Sequence, residues 1–405
     1  MTKLPHIFIL AGESSGDRLG AALMRRLREE TGGQIKITGV GGEAMIAEGL
    51  SPVFPMQDIA VMGLVEVLPH IKRLRSRLCR ASDEIAATQP DALVTIDAQV
   101  FSALLAKRVK RSAPQTTLIH YVAPTVWAWK PSRARKLAAY LDRVLALFPF
   151  EPPYFEKEGL RCDFVGHPVL ERVAGLSQNA GHDLRNELKI SPDAKVLLVA
   201  PGSRASEIAR LARPFGEAAT VLAKRYPDLE IILPVASAVA DEVKAAAKAW
   251  HARTHVLDPR GLAFEQAEMR KFSAFAAADL ALAASGTVTL ELAALRVPMI
   301  VGYRMPKFNE FVARRMMSVD TGTLVNIITD EKVVPEYWQD HCNGDELAEA
   351  LSALIENEKA RDQQIAGFEK AFAALGQGDV PPSVRAARSV LAALAEKNQR
   401  LSTDT

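Results

Sequence analysis

The chain has 405 residues, which is too long for one ordinary hydrophobic core and predicts about two domains. Its composition, 48% hydrophobic and 24% charged, excludes a disordered or collagen-like protein. The 50 basic and 48 acidic residues nearly balance, so the overall charge does not indicate a nucleic-acid partner.

The cysteines and the N-terminal residues indicate the cellular compartment of the protein. Cys79, Cys162 and Cys342 are the only cysteines and have no disulfide or zinc spacing, which is typical of a reducing compartment. Residues 1–6 do not open a signal peptide, and no run of about 18 apolar residues occurs. We therefore expect a cytoplasmic protein, either soluble or attached to a membrane surface.

Strands and helices alternate along the first half. Residues 7–11 form a continuous apolar run, a Gly-rich turn follows, and apolar residues then recur at helical spacing from Leu19 to Leu27. Further strands are predicted at 35–40, 92–96, 117–122 and 143–147. This alternation predicts a mostly parallel, doubly wound sheet.

The same theme restarts after a polar stretch at 177–189. Strands are predicted at 195–200, 230–235, 254–257, 280–283 and 298–302, and the boundary between the halves is placed near 168–192. After Glu336 the chain is predicted to be helical to its end, with a break at Pro381 and Pro382. We expect two similar α/β halves with a cleft between them.

The turn at 11–17 places two glycines, two serines and two acids between a buried strand and a helix. Free N–H groups at that helix N-terminus favour an anion or sugar hydroxyls. A tight turn with Asp17 as helix cap explains the pattern equally well. Asp97, directly after the strand at 92–96, is either a cleft-facing general base or a helix cap.

Two motifs in the second half suit a nucleotide diphosphate. Ser203 and Glu207 can cap a helix, and Arg204 can offer a delocalised cation to a diphosphate. Residues 285–287 open a helix with small residues, and Glu291 lies one turn inside, where it can accept ribose hydroxyls or serve only in a capping box. Because both motifs lie in one half, we expect the nucleotide site there.

An apolar segment at 59–69 is followed by a basic run from His70 to Ala81 that contains no acid. This pair predicts either a surface that rests on anionic lipid or a core helix with a solvated basic face. Trp127 and Trp129 favour the lipid surface, since tryptophan suits interfaces. No metal-ligand spacing occurs and His167 is expected to be structural, so we predict no metal and no cofactor.

These motifs together resemble the lipid-A-disaccharide synthase family along essentially the whole chain. The segments that carry the resemblance are 11–17, 61–69, 121–129, 165–168, 201–204, 284–287 and 334–336. It implies a GT-B fold with two Rossmann-like domains facing across a cleft. The domains are predicted at 1–170 (acceptor and membrane) and 171–365 (UDP-sugar), with helices at 366–405 crossing back to the first.

The resemblance also implies the reaction. A 2,3-diacylglucosamine unit passes from UDP to 2,3-diacylglucosamine 1-phosphate, which gives the β-1′,6-linked disaccharide 1-phosphate and UDP with inversion. Asp97 matches the family's proposed base, and the turn at 11–17 falls on the acceptor side. Donor-binding candidates are Ser203, Arg204, Glu207, Ser285, Gly286, Thr287, Glu291 and Asn326. Acceptor or lipid-facing candidates are Gly12, Ser14, Ser15, Val61, Met62, Val65, Trp127 and Trp129.

The chain departs from the family pattern at two places. After Asp97 it lacks the usual second acid, so Glu13 and Asp17 are the alternative bases; before Asn326 a Val replaces the usual Pro. Alternative functions are another GT-B UDP-N-acetylglucosamine transferase, an epimerase, or an inactive lipid or nucleotide-sugar binder. Expected partners are the two acylated substrates, the inner face of the inner membrane of a Gram-negative cell and, in a homodimer, a second copy.

Overall fold

A computed structural model gives the structure of residues 4–59, 71–127, 132–306 and 320–403. The chain divides into two compact units. Unit one comprises Met1–Pro168 and Gly378–Thr405, and unit two comprises Val169–Gln377. The domain limits predicted at 170/171 and 365/366 stay predictions.

Unit one is built on a parallel sheet with six strands in its described part. The order across the sheet is β2-β1-β3-β4-β5-β6. Five of its strands have four or five residues, and β1 has six and is buried throughout. Strand bounds are β1 His6–Ala11, β2 Lys36–Val40, β3 Ala92–Ile96, β4 Thr117–Tyr121, β5 Arg143–Ala146 and β6 Arg161–Phe164.

Helices connect these strands. The first helix buries Leu19, Leu23, Met24 and Leu27, which recur at helical spacing, and so packs as the sequence predicts. The bounds are α1 Ser14–Glu30, α2 Glu43–Ala47, α3 Ile71–Thr88, α4 Gln99–Ser112, α5 Arg133–Ala138 and α6 Pro152–Glu156, with a 3₁₀ turn at Met56–Asp58. The last helix of the chain, α16 (Pro382–Thr403), packs on α1.

Unit two repeats the architecture with strand order β12-β11-β10-β7-β8-β9. Its strands are β7 Val196–Ala200, β8 Glu230–Pro234, β9 Arg253–Leu257, β10 Leu280–Ala284, β11 Met299–Tyr303 and β12 Glu336–Trp338. Its helices are α7 Val169–Ala174, α8 Ala180–Glu187, α9 Ala205–Arg225, α10 Ala240–Ala247, α11 Phe264–Ala276, α12 Thr287–Ala294, α13 Leu324–Thr329, α14 Gly344–Glu356 and α15 Glu358–Ala374, with 3₁₀ turns at Ser237–Val239 and Gln339–His341.

Each sheet reverses its strand order at one place, and ligands of such sheets bind beyond the carboxyl ends of the strands at that place. In unit one the reversal lies between β1 and β3, where Ala11 pairs with Ile96. In unit two it lies between β7 and β10, where Ala200 pairs with Ala283. All four loops singled out from the sequence leave these strands, so the topology brings them together in pairs.

One predicted helical stretch and several predicted strand ends differ from the structure. Residues 336–338 form a strand on β11 rather than continuing as helix, because three residues are too few to display a period. No element was predicted for the polar stretch at 177–189, which contains α8; this helix buries Ala180, Gly181 and Leu184. Val122 leaves β4 with a φ of 76°, which ends the strand one residue early.

The membrane-facing segment predicted at 59–69 lies outside the described residues except for Ile59, which is buried. Within the described ranges, no helix is long and apolar enough to cross a membrane.

Candidate functional site

Asp97 is held in a strained turn at the end of β3. Its φ is +50° and that of Ala98 is +44°, so two consecutive non-glycine residues are left-handed before α4 begins. The Asp97 N–H donates to the Tyr121 carbonyl at 3.1 Å, and the Ser102 hydroxyl donates to the Asp97 carbonyl at 2.7 Å. Burial raises the pKa of the Asp97 carboxyl, although a hydrogen bond from the Ala98 backbone opposes the shift.

The turn after β1 touches the Asp97 turn. A Cβ atom at position 12 would lie 2.5 Å from the Ala98 Cβ, so only glycine allows this approach. Glu13 and Ser15 are half-buried beside it, and Ser14 is exposed. The structure thus brings the predicted acceptor-side turn and Asp97 to one edge of the sheet.

Asp17, predicted as an alternative base, has a structural role instead. It is 5% exposed, and its carboxylate accepts backbone hydrogen bonds from Gly42 (2.7 Å), Ala44 (2.9 Å) and Met45 (3.2 Å). These N–H groups lie at the N-terminus of α2. The N-cap residue of α2 is Gly42, which has no side chain to bind them, so Asp17 supplies the acceptor. Because both carboxylate oxygens are engaged, we do not propose Asp17 as a base.

In unit two the start of α12 leaves the N–H groups of Gly286 and Thr287 without a hydrogen-bond acceptor among the described residues. Gly286 has a φ of 156°, and a Cβ there would meet no atom of the described residues within 4 Å, so the space beyond it is open. The neighbouring Ser285 hydroxyl donates to the Gly322 carbonyl at 2.8 Å. Thr287 is the first residue of the helix. Such an open N-terminus suits a phosphate.

The loop after β7 lies next to this helix start through the pairing of β7 with β10. Glu207 accepts hydrogen bonds from the backbone N–H groups of Ser203 (2.9 Å) and Arg204 (3.3 Å), so it caps α9 rather than facing a ligand. The Arg204 side chain is 70% exposed, and its Nη1 lies 3.7 Å from Glu207 Oε1. Arg204 therefore presents a largely exposed guanidinium beside the cap that Glu207 forms on α9.

Glu291 and Asn326 are also engaged within unit two. Glu291 is 8% exposed and accepts from Lys271 at 3.2 Å and Arg172 at 3.4 Å. The Asn326 amide accepts from the Val334 N–H at 2.8 Å and donates to the Val334 carbonyl at 2.9 Å. These bonds give Asn326 a role in closing the loop at 327–333, and we withdraw it as a donor ligand.

One residue at this site was missed from the sequence. Glu336 accepts from the Thr321 hydroxyl (2.7 Å), the Gly322 N–H (3.0 Å) and the Thr323 hydroxyl (2.5 Å). It thereby fixes the loop whose Gly322 carbonyl binds Ser285. Glu336 lies in the segment 334–336, which carries part of the family resemblance, but its local sequence does not indicate these three bonds.

Trp127 does not face lipid in this structure. It is 6% exposed, its Nε1 donates to Glu151 Oε1 at 3.2 Å, and its ring packs edge-on against Phe150 at 5.1 Å. A buried indole N–H needs an acceptor, and Glu151 supplies it. The prediction of a lipid-facing Trp127 is corrected accordingly; Val61, Met62, Val65 and Trp129 lie outside the described residues.

Glu151 makes stability depend on pH. It is 1% exposed, and burial raises its pKa to about 7, while hydrogen bonds from Phe148, Trp127 and Leu147 oppose the shift. Between pH 4.5 and 7 the folded chain keeps a proton that the unfolded chain has released, so ionisation opposes folding as pH rises. We expect Glu151→Gln to gain about 1 kcal/mol relative to the wild type between pH 6 and pH 8.

Urea unfolding of both proteins at the two pH values measures this change. The comparison with the wild type cancels the contribution of His120, whose pKa is lowered by burial to about 4 and which acts with the opposite sign. If the free energy of unfolding of Glu151→Gln differs from that of the wild type by the same amount at pH 6 and pH 8, Glu151 is not the group that titrates.

Comparison with solved structures shows the fold class of the chain. The chain is similar to a putative UDP-N-acetylglucosamine 2-epimerase from Listeria monocytogenes, with a TM-score of 0.65 and 16% identity over 98% of this chain and 97% of that one. It is also similar to a UDP-GlcNAc 2-epimerase from Neisseria meningitidis, solved with UDP-GlcNAc, with a TM-score of 0.59 and 13% identity over 96% and 100%. The prediction of the GT-B fold is thereby confirmed.

The sequence comparisons then identify the family. A family model described as lipid-A-disaccharide synthetase matches residues 7–386. The lipid-A-disaccharide synthase of Rhodospirillum centenum is 46% identical over 385 residues, 95% of this chain and 94% of the relative. That of Ruegeria pomeroyi is 46% identical over 389 residues, 96% and 95%. The chain belongs to the lipid-A-disaccharide synthase family, and it is a glycosyltransferase of lipid A disaccharide synthesis.

Proposed function

We propose that the chain transfers 2,3-diacylglucosamine from UDP to the 6-hydroxyl of 2,3-diacylglucosamine 1-phosphate, with inversion at the anomeric carbon. The observation that carries this proposal is that each sheet has suitable chemical groups at the place where its strand order reverses. Unit one has a carboxylate at its strand-order reversal, and unit two has an open helix start and an exposed arginine at its own. Family membership supplies the substrate class.

Inversion is the outcome of a single displacement. The acceptor oxygen forms a bond to the anomeric carbon while the bond from that carbon to the UDP oxygen breaks. The proton of the hydroxyl passes to Asp97, and the bonding electron pair leaves with UDP. The start of α12 and Arg204 would stabilise the charge that develops on the diphosphate.

The test is a mass-spectrometric assay for the disaccharide 1-phosphate, using both acylated substrates of defined chain length. We expect a product whose mass equals the sum of the substrates less UDP, with a β linkage by NMR. An α linkage would contradict inversion. Release of UDP and free diacylglucosamine without disaccharide would contradict transfer to the acceptor.

Arg204 should contribute to UDP affinity. Replacing it with Gln removes a charge-assisted hydrogen bond to the diphosphate, and because the side chain is 70% exposed we expect UDP to bind about fivefold to tenfold more weakly. Isothermal titration with UDP measures the effect. Arg213→Gln is the matched control, since Arg213 lies on α9, the helix that Arg204 caps, is 87% exposed and pairs with Glu217. Equal losses in both variants would remove Arg204 from the donor site.

Membrane contact is proposed through the basic face of α3. Lys72, Arg73 and Arg75 are exposed on this helix, which directly follows the apolar segment. Each basic residue near an anionic surface contributes about 1 kcal/mol. We expect the triple change to Gln to lower binding to phosphatidylglycerol vesicles about 100-fold at low salt, as measured by vesicle co-sedimentation.

The control removes the same charge elsewhere. Arg213, Arg253 and Arg296 are exposed by 87%, 78% and 62% in unit two, and their triple change to Gln should leave vesicle binding within about twofold of the wild type. If both triple variants lose binding equally, net charge rather than the α3 face explains the association.

A further inference from the structure

A cavity of about 250 Å³ lies in unit one between α4 and α5, above strands β3 and β4. It starts at the Asp97 turn, because Gln99 and Val100, the first two residues of α4, both line it. Sites that enclose a whole drug-sized ligand measure about 300–1,000 Å³. This cavity is smaller, so it suits one part of a ligand bound at the Asp97 edge.

The interior of the cavity is mostly apolar. Ala103, Leu137 and Leu141 form its walls, and Val100, 71% exposed, lies at its mouth. Such a lining favours hydrocarbon over a sugar or a phosphate, since polar groups left there would lose water without replacement.

Among the polar side chains that line the cavity, His120 lies deep in the wall. His120 is 4% exposed, and its Nδ1 is hydrogen-bonded to Thr95 Oγ1 at 2.8 Å. Its Nε2 has no hydrogen-bond partner among the described residues. The ring is neutral at physiological pH, because burial lowers the pKa of His120 to about 4. The cavity therefore offers a neutral ring nitrogen in a largely apolar wall, which suits a hydrocarbon chain that carries a polar atom.

The rim is cationic. Lys107, Arg133 and Lys136 all line the cavity, and no carboxylate of the described residues does. In the described part of the chain none of the three forms an ion pair; Arg133 donates to Gln99 Oε1 at 2.8 Å, and Lys107 lies 5.2 Å from the Tyr140 ring centroid. Unpaired cations around an apolar interior match an amphiphile with an anionic head.

We propose that this cavity holds one acyl chain of the acylated sugar phosphate acceptor, with an oxygen of that chain at His120 and the phosphate at the rim of Lys107, Arg133 and Lys136. This rests on the proposed function, which it deepens by naming where the acceptor chain binds. Lys107 and Lys136 are exposed whereas His120 and Leu141 are buried, so the charged end of the ligand stays at the surface and the chain enters.

The binding test uses octyl phosphate below its micelle concentration, titrated by calorimetry into the full-length protein. Octyl glucoside and inorganic phosphate are the comparison ligands. We expect octyl phosphate to bind at least about tenfold more tightly than either, because only it meets both the walls and the rim. Inorganic phosphate binding as tightly as octyl phosphate would overturn the proposal in favour of a simple anion site.

Two matched variants locate the binding. Ala103→Phe places a ring in the cavity, and we expect it to weaken octyl phosphate binding about tenfold or more. Leu104→Phe adds a ring at the next residue of α4, which is 50% exposed and does not line the cavity, and should bind as the wild type does. Circular dichroism and thermal unfolding confirm that both variants are folded. Unchanged affinity in Ala103→Phe overturns the proposal, and Lys136→Gln supplies an independent change at the exposed rim that should also weaken binding.

The transfer assay keeps this inference distinct from the proposed function. Wild-type protein that forms the disaccharide but does not bind octyl phosphate in an Ala103-dependent way overturns the cavity proposal alone. Protein that binds octyl phosphate as expected but forms no disaccharide overturns the reaction and leaves a lipid-binding cavity. With an active enzyme, Ala103→Phe should raise the KM for the acceptor and leave the KM for the UDP-sugar unchanged.

Discussion

Replacing Asp97 with Asn is expected to lower the rate of disaccharide formation by about 10²–10⁴-fold, which is the usual contribution of a general base. The amide cannot take the proton of the acceptor hydroxyl. Asn is preferred to Ala because the Asp97 φ is +50°, a conformation in which Asn is common and Ala is strained. The turn therefore keeps its shape while the base is removed.

Steady-state rates of the wild type and Asp97→Asn, together with UDP affinity by calorimetry, measure the effect. UDP affinity should not change, because Asp97 belongs to unit one and the donor loops belong to unit two. Glu13→Gln is the matched control, since Glu13 lies in the turn that touches the Asp97 turn and, unlike Asp17, does not cap α2. If Glu13→Gln loses the activity and Asp97→Asn retains it, the base is Glu13.

The pH dependence of the rate provides a second readout. A base acts only when it is ionised, so the rate rises with pH through the pKa of the base. Because burial raises the pKa of Asp97, the acidic limb of the wild-type profile should lie above the usual range of an aspartate. The residual activity of Asp97→Asn should lack that limb.

The sequence predicted the parts of the fold that depend on local pattern. Continuous apolar runs marked buried parallel strands, and glycines with small polar residues marked the loops that leave them. Three of the four loops at the strand-order reversals were found in this way and the fourth by Asp97 directly after its strand, although their pairing required the topology. The residue pattern of the turn at 11–17 alone favours a nucleotide site. The family resemblance instead places this turn on the acceptor side.

Roles that depend on distant partners could not be predicted. Asp17 caps a helix that begins 26 residues later, and Asn326 closes a loop by binding Val334. Glu151 and His120 drew no attention in the sequence, because their burial follows from packing between separate elements. In each case the sequence shows the residue type. The group that hydrogen-bonds the side chain, or the element that buries it, lies elsewhere in the chain.

The return of the last helix to unit one depends on a buried cation that the sequence does not mark. Arg143 on β5 is 2% exposed and donates to the Ser389 carbonyl at 2.8 Å, Asp163 at 3.0 Å and Glu396 at 2.7 Å. Two of these partners belong to α16, so one guanidinium joins the helix to the sheet. Its rigid fork of donors is suited to this arrangement.

Arg143→Met should lower the free energy of unfolding by about 2–4 kcal/mol. The change leaves the carboxylates of Asp163 and Glu396 without their buried partner, which costs more than the lost attraction alone. The side chains of Asp163 and Glu396 are 27% and 35% exposed, and water lessens the cost, so we expect less than for a fully buried pair. Urea unfolding measures the loss, and hydrogen exchange should show it concentrated in α16.

Arg161→Met is the matched control, because Arg161 pairs with the same two carboxylates but is 53% exposed. An exposed partner of this kind contributes about 1 kcal/mol or less. If the two variants lose equal stability, burial of Arg143 is not what anchors α16. A larger loss in Arg143→Met, with faster exchange in α16 than in Arg161→Met, assigns the anchoring to the buried guanidinium, since both changes remove one positive charge from the same pair of acids.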